Sequence, residues 1–164
     1  MIILGIDPGL ATLGWGVIET NGQKLRLIGY GTVLTEAGMP MPQRLRAIQT
    51  GVRNLILQYD PSEIAFEELF FSRNVTTALL VGAARGAAII AAVEHTENLY
   101  EYTPMQIKQA VAGWGKADKK QIQQMVKLLL SMEEIPKPDD AADGLAVAIT
   151  HAHTSHSKHM FKMK

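Results

Sequence analysis

The chain predicts an α/β fold: a mixed five-stranded sheet, strands 1–3 antiparallel and strands 4 and 5 parallel, with helices on both faces. Three observations carry that expectation. Residues 2–34 hold three β-rich runs joined by short turns, the pattern of an antiparallel meander. From residue 43 onward helical and strand-like stretches alternate, as parallel strands joined by crossovers require. The final third is helical, which leaves material to cover a second face. No repeat or linker divides the chain, so residues 1–154 read as one domain and 155–164 as a polar, flexible tail.

Ile2-Ile3-Leu4-Gly5-Ile6-Asp7 is a buried strand that ends in an acid and is stopped by Pro8-Gly9. Alternation sets Ile2, Leu4 and Ile6 on one face and Ile3, Gly5 and Asp7 on the other. Leu13–Glu19 is the second strand, Asn21-Gly22 a tight turn, and Leu25–Leu34 the third strand. After a loop with Gly38-Met39-Pro40-Met41-Pro42, apolar Leu45, Ile48, Val52, Leu55 and Ile56 recur at helical spacing across Gln43–Tyr59. Glu63–Glu67 is a short strand that again ends in an acid. Ser72–Thr96, rich in Ala and Gly, reads as a long buried helix, and Asn98–Tyr102 as the fifth strand. Met105–Val111 and Lys119–Leu130 are helices separated by Gly113-Trp114-Gly115-Lys116. Pro136 and Pro138 precede the last long helix, with Asp139 placed to cap it.

With 47% hydrophobic and 20% charged residues, the composition is that of a soluble domain long enough to bury a core. The lack of cysteine excludes a disulfide framework or a thiolate metal site and is compatible with the cytoplasm. Apolar stretches are broken before membrane length, and Met1 leads straight into a core-like strand, so neither a span nor a signal peptide is expected. Basic and acidic residues are equal in number, sixteen each, so any nucleic-acid footprint has to be local. Residues 103–132 supply one: Lys108, Lys116, Lys119, Lys120 and Lys127 stand there against a single acid, Asp118.

Asp7 ends the first strand, Glu67 ends the fourth, and Asp140 and Asp143 share one face at the start of the last helix. If strands 1 and 4 are parallel neighbours, their carboxyl ends meet in the crevice where open α/β sheets place ligands. Ala141, Ala142, Gly144 and Ala146 let the helix approach the sheet closely and hold its acids near the strand ends. Each acid also has a plain structural use: a turn before Pro-Gly, a solvated member of the Glu67-Glu68 pair, a cap or a dipole partner. Three separate segments converging on carboxylates is what points to a site. Mg²⁺ prefers oxygen ligands and keeps several waters, and two such ions suit in-line phosphoryl displacement.

The stretches Ile3-Leu4-Gly5-Ile6-Asp7-Pro8-Gly9, Ala65-Phe66-Glu67-Glu68-Leu69-Phe70 and Asp140-Ala141-Ala142-Asp143-Gly144-Leu145-Ala146 closely resemble the motifs of the RuvC family of bacterial Holliday-junction resolvases. The likeness continues through Ala84-Arg85-Gly86, Gln106-Ile107-Lys108-Gln109 and Ala148-Ile149-Thr150-His151, nearly the whole chain in the family's order. It implies an RNase H-like fold, with 1–154 as the nuclease domain, and a homodimer that nicks opposite strands of four-way junction DNA in recombination and repair. It implies metal-activated water, with Asp7, Glu67, Asp140 and Asp143 as catalytic ligands and Asp7 bridging two Mg²⁺ ions, for which Mn²⁺ can substitute. It also implies partnership with the RuvA–RuvB branch-migration complex. Some relatives carry His where Asp140 stands, and Asp139 is an extra acid with no assigned part.

Lys108 and Lys119 match family positions that resemble phosphate contacts beside the scissile strand; Lys116 and Lys120 fit backbone contacts, and Lys127 a solvated helix face. Of two adjacent aromatics, Phe70 rather than Phe71 resembles the family's base-stacking residue, and Arg73 fits a phosphate contact. The small-residue helix suits either a dimer interface or dense packing on the sheet. His151, His153, His156 and His159 are too irregularly spaced for a zinc site and read as structural or solvated, with His151 close enough to the acids to support them. Two rival readings remain. One is an RNase H-like nuclease of ribosomal RNA precursors, a group that lacks the Lys-rich segment and the Asp-Ala-Ala-Asp helix. The other is a junction-binding protein that does not cut, which the presence of all four acids disfavours. A lone ATPase domain is weaker still, since the chain leaves no room for a second lobe.

Overall fold

The computed structural model describes residues 1–69 and 74–164. β1 (Ile2–Asp7), β2 (Thr12–Thr20), β3 (Leu25–Leu34), β4 (Glu63–Glu67) and β5 (Leu99–Tyr102) form one sheet in the order β3-β2-β1-β4-β5. β1 pairs antiparallel with β2 and β2 with β3, whereas β1–β4 and β4–β5 are parallel. This is the mixed sheet the sequence predicts, and β1 and β4 are indeed neighbours.

Helices cover both faces. α1 (Met41–Tyr59) and α2 (Val75–Val93) bury Ile48, Val52, Ala84 and Ala88 against Leu4, Ile6, Ile64 and Phe66. On the other face α3 (Pro104–Ala112), α4 (Lys119–Leu129) and α5 (Asp139–His153) bury Ile107, Val126, Leu145 and Ile149 with Ile3 and Ala65. A slip of one residue in β1 would exchange the two cores and turn Asp7 away from α5, so burial itself pins the register.

α3 and α4 start where their sequences say they should. Thr103 with Gln106, and Asp118 with Gln121, close reciprocal capping boxes. α5 differs from expectation. Pro138 holds the cap position, no side chain caps the helix, and Asp139 and Asp140 instead occupy its first turn. There their charges oppose the helix dipole's positive end, which replaces the missing cap. Glycines let α5 lie against the sheet: a Cβ on Gly5 would come 2.3 Å from Gly144 O, and one on Gly144 would come 2.5 Å from Trp15 Cα.

α2 is not the buried helix its composition suggests. Ala78, Ala84, Ala88, Ala91 and Ala92 face inward, while Val75, Leu79, Leu80, Ile90 and Val93 are exposed. By length and composition it would suffice to cross a membrane, yet its alanine face is packed on α1 and the sheet.

Residues 155–164, expected as a flexible polar tail, are folded back on the sheet edge. Ser155–Phe161 forms a 3₁₀ helix, Lys162 bridges Tyr100, and Met163 N donates to Leu99 O at 2.9 Å. Phe161 packs on Tyr102, with ring centroids 4.9 Å apart. Beneath it lies a buried polar chain. Tyr102 Oη lies 2.7 Å from His151 Nδ1 and 2.8 Å from Thr154 Oγ1; His151 Nε2 lies 2.6 Å from Glu63 Oε2, and Lys158 reaches Glu63 Oε1. Burial holds His151 below its ordinary pKa despite Glu63, so the partners assign a neutral ring that donates from Nε2 and accepts at Nδ1. Burial alone would raise Glu63, but hydrogen bonds from Lys158 and His151 hold it below the usual range. His151 is thus an anchor for the chain terminus and does not support the acids as expected.

Candidate metal centre and its basic rim

Parallel pairing of β1 and β4 brings Asp7 and Glu67 to the same sheet end, and the glycine contacts press the first turns of α5 against it. Asp7, Asp140 and Asp143 each offer a carboxylate oxygen, and these oxygens lie within 4.8 Å of one another. Glu67 joins them through a hydrogen bond with Asp7. All four predicted acids are therefore brought together, from three separated segments.

So much negative charge in a half-buried place shifts titration. Asp7 is pushed up to about 9, first by burial and then by Glu67, Asp143 and Asp140. Burial and Asp143 also raise Glu67, against the opposing pull of its bond to Asp7 and of Lys108 and Lys119. Asp143 is raised by burial, with Lys119 opposing. The hydrogen bond between Asp7 and Glu67 therefore holds a proton within the carboxylate pair when no cation is bound. A set of hard oxygen donors that can shed its charge only by taking up a proton fits a divalent cation, which would neutralise it without one. The group fits the residues.

The acids open into a cavity of about 300 Å³ whose walls include Asp7, Glu67 and Asp143 together with Lys108, Lys119, Pro104, Ile107 and Ile122. Lys119 Nζ lies 3.3 Å from Asp143 Oδ2 and 3.8 Å from Asp139 Oδ2. Burial would lower Lys119, but Asp143, Asp139 and Asp140 outweigh it and hold the ammonium above its ordinary pKa. Of the predicted DNA-contacting lysines, then, Lys108 and Lys119 share the acids' cavity. Lys116 and Lys120 do not: Lys116 lines a groove with Met105, Gln109 and His153, and Lys120 lies beside Trp114 and Met125. Phe70 and Arg73, and the choice between Phe70 and Phe71, fall outside the described residues. Glu68 is exposed, which makes it the solvated member of the Glu67-Glu68 pair.

A second cleft lies on the far side of the Asp7–Glu67 pair, lined by Pro8, Glu68, Leu69, Thr77, Val81 and Arg85. Arg85 Nη2 is 2.5 Å from Glu101 Oε2, tying α2 to β5 behind that cleft. The stretch Ala84-Arg85-Gly86 gives Arg85 no partner in sequence, because only strand order reveals that Glu101 lies opposite.

Known proteins share this sequence and fold. A family model described as "Crossover junction endodeoxyribonuclease RuvC" matches residues 3–151. A relative of that name from Alkaliphilus metalliredigens is 54% identical over 164 residues, covering 100% of both chains. Another, from Brevibacillus brevis, is 56% identical over 152 residues, 93% of this chain and 92% of its own. The structure of Thermus thermophilus RuvC in complex with Holliday junction substrate superposes with a TM-score of 0.90 at 40% identity, covering 94% of each chain. With the acids converging at one sheet end and the likeness running the length of the domain, the chain belongs to the RuvC family of crossover junction endodeoxyribonucleases.

Proposed function

We propose that the protein resolves four-way DNA junctions by hydrolysing one phosphodiester in each of two opposed strands, as a cytoplasmic, Mg²⁺-dependent homodimer. The observation that carries this reading is that Asp7, Glu67 and Asp143, with the Asp140 carboxylate grouped beside them, share one cavity with Lys108 and Lys119. Carboxylates alone describe a cation site; lysines opening into the same space supply the charge a nucleic-acid backbone needs.

Asp7, Asp140 and Asp143 would hold the cation, with Glu67 beside Asp7, and the four carboxylates would together serve two ions. When bound, a divalent cation there supplies positive charge to the scissile phosphate and a lowered pKa to the attacking water. The chain's own residues do the rest. Lys119 is held by Asp143 and Asp139 until a phosphate oxygen offers a better partner, and Lys108 lines the same cavity. Asp140 or Asp143, on one face of α5, would also help to orient the attacking water. Ile107 and Ile122 form the apolar wall that limits water around the reacting phosphate.

The exposed row Leu79, Ile90 and Val93 on α2 supports the dimer, since large apolar side chains on one helix face suit a second copy of the same face. Leu79→Asp is expected to convert the dimer to monomer in analytical ultracentrifugation; a variant that sediments with the wild type would remove α2 from the interface. The RuvA–RuvB complex is the partner we expect to present the junction.

The deciding experiment is cleavage of a mobile four-way junction with Mg²⁺, run beside linear duplex, an RNA–DNA hybrid and structured RNA, with Asp140→Asn as control. Paired nicks on the junction only, lost in the control while binding persists, are expected. Preference for RNA would reverse the reading. Lys119→Ala is expected to weaken binding to every DNA tested and to reduce the slope of log affinity against log salt by about 1. An unchanged slope would show that Lys119 touches no phosphate.

A further inference from the structure

Trp114 is 49% exposed in a loop that is pinned on every other side. Gly113 closes α3 in the left-handed region, at φ 81°, and its carbonyl accepts from Gln109 Nε2 at 2.8 Å. Gly115 stands where a Cβ would come 2.9 Å from Met105 Cγ, so the backbone is pressed onto the start of α3. Ala117 is buried in the core shared by α3, α4 and α5, and its N–H donates to Trp114 O. Asp118 is engaged in the capping box of α4. The turn from Gly113 to Asp118 is therefore rigid, and its one large apolar side chain is the one it leaves half in water. A Trp serving only the core would be covered by it.

The neighbours indicate what covers it instead. The turn joins the two elements that send Lys108 and Lys119 into the acid cavity. Lys119 lies five positions after Trp114, a reach of at most about 17 Å, or at most about five base pairs of duplex. Lys116 and Lys120 are exposed in and beside the turn. Trp114 and Lys120 share a shallow groove of about 370 Å³ with Gln121, Gln124 and Met125, and the groove's single acid, Asp118, is occupied as a cap. An indole set among lysines complements a sugar–phosphate backbone: the ammonium groups meet phosphates, and the ring meets the apolar faces of deoxyribose and base.

We propose that Trp114 is a DNA-contacting residue whose indole packs on a nucleotide of the duplex arm leaving the cavity across the α3–α4 turn. It extends the interface beyond Lys119 by at most about five base pairs. The inference rests on the junction-resolving reading above and adds to it the path of one arm.

The test is fluorescence anisotropy with a labelled four-way junction and a linear duplex, in EDTA so that neither is cut. Trp114→Ala is expected to weaken binding to both DNAs by about tenfold and Trp114→Phe by no more than about threefold. The salt slope should stay unchanged, because no phosphate contact is lost, whereas Lys116→Ala should lower it. Unlabelled junction should quench indole emission in the wild type, and the change should vanish in Trp114→Phe, where Trp15 remains packed on Tyr59. Thermal melting of both variants should stay close to the wild type, because about half of the side chain already lies in water. Binding by Trp114→Ala within twofold of wild type, or wild-type emission indifferent to DNA, would overturn the proposal. A loss confined to the junction would overturn the arm assignment by moving the contact to the crossover. A wild type that binds duplex as well as junction would instead defeat the resolvase reading, while the Trp114 comparison stays readable on duplex.

Discussion

Asp7→Asn is expected to abolish junction cutting, by about 10³-fold or more, while making the metal-free protein more stable at pH 8 than the wild type. Both effects come from one carboxyl group. In the folded chain Asp7 titrates at about 9, driven up by burial and by Glu67, Asp143 and Asp140, whereas in an unfolded chain it titrates near ~4. Between those values the folded state binds the extra proton. Its contribution to stability is therefore complete below about pH 4, declines as pH rises, and is lost as pH passes about 9. Asparagine can still donate to Glu67 but has no proton to lose, so its melting temperature should fall less between pH 5 and 9 in EDTA. Mg²⁺ should then raise the melting temperature of the wild type most at high pH, where the acids need the least help to ionise, and raise that of Asp7→Asn little. Wild-type and variant melting curves that run parallel across pH would show that Asp7 is not the proton-holding group. Cutting by the variant would remove it from the reaction.

Much of the acid cluster is legible in the sequence because its parts obey local rules. A strand that ends in an acid before Pro-Gly places that acid at a sheet end, and alternation puts Asp7 on the same side as Gly5, the side α5 approaches. The spacing of Asp140 and Asp143 puts both on one face of a helix. What alternation and helical spacing leave open is everything set by tertiary contact. Charge and spacing do not separate the four lysines, and the resemblance alone singles out Lys108 and Lys119, the two among the described residues that line the acids' cavity. Residues 155–164 look polar because Phe161 and Lys158 are scattered among hydrophilic neighbours. The ring finds Tyr102 and the ammonium finds Glu63, an acid the sequence presents only as the start of a strand. Likewise Ala- and Gly-rich α2 announces close packing without revealing that one face alone is packed and that the larger residues turn outward.

The second large effect tests how the cluster is held together. Gly14 lies opposite Asp7 in the β1–β2 ladder, and a Cβ there would fall 1.8 Å from the carbonyl oxygen of Asp140. It is the point at which the sheet touches the first turn of α5, between the two halves of the cation site. Gly14→Ala can be accommodated only if helix and strand separate, by about 1.5 Å to reach ordinary contact. Overpacking of this kind costs about 1–3 kcal/mol, or a fall of roughly 2–12 °C in melting temperature for a domain of this size. Activity should fall further than stability, by about 10²-fold or more, because Asp140 and Asp143 move away from Asp7 as a unit. Gly16→Ala separates the two consequences. Its Cβ would meet the Cα and side chain of Leu145 at 2.6–2.7 Å, deeper along the same helix and away from the acids' first turn. It should lose comparable stability but markedly less cutting, measured at a temperature where both variants are folded. If the two variants lose cutting equally, Gly14 acts through stability alone, and the placement of Asp140 is set elsewhere on α5.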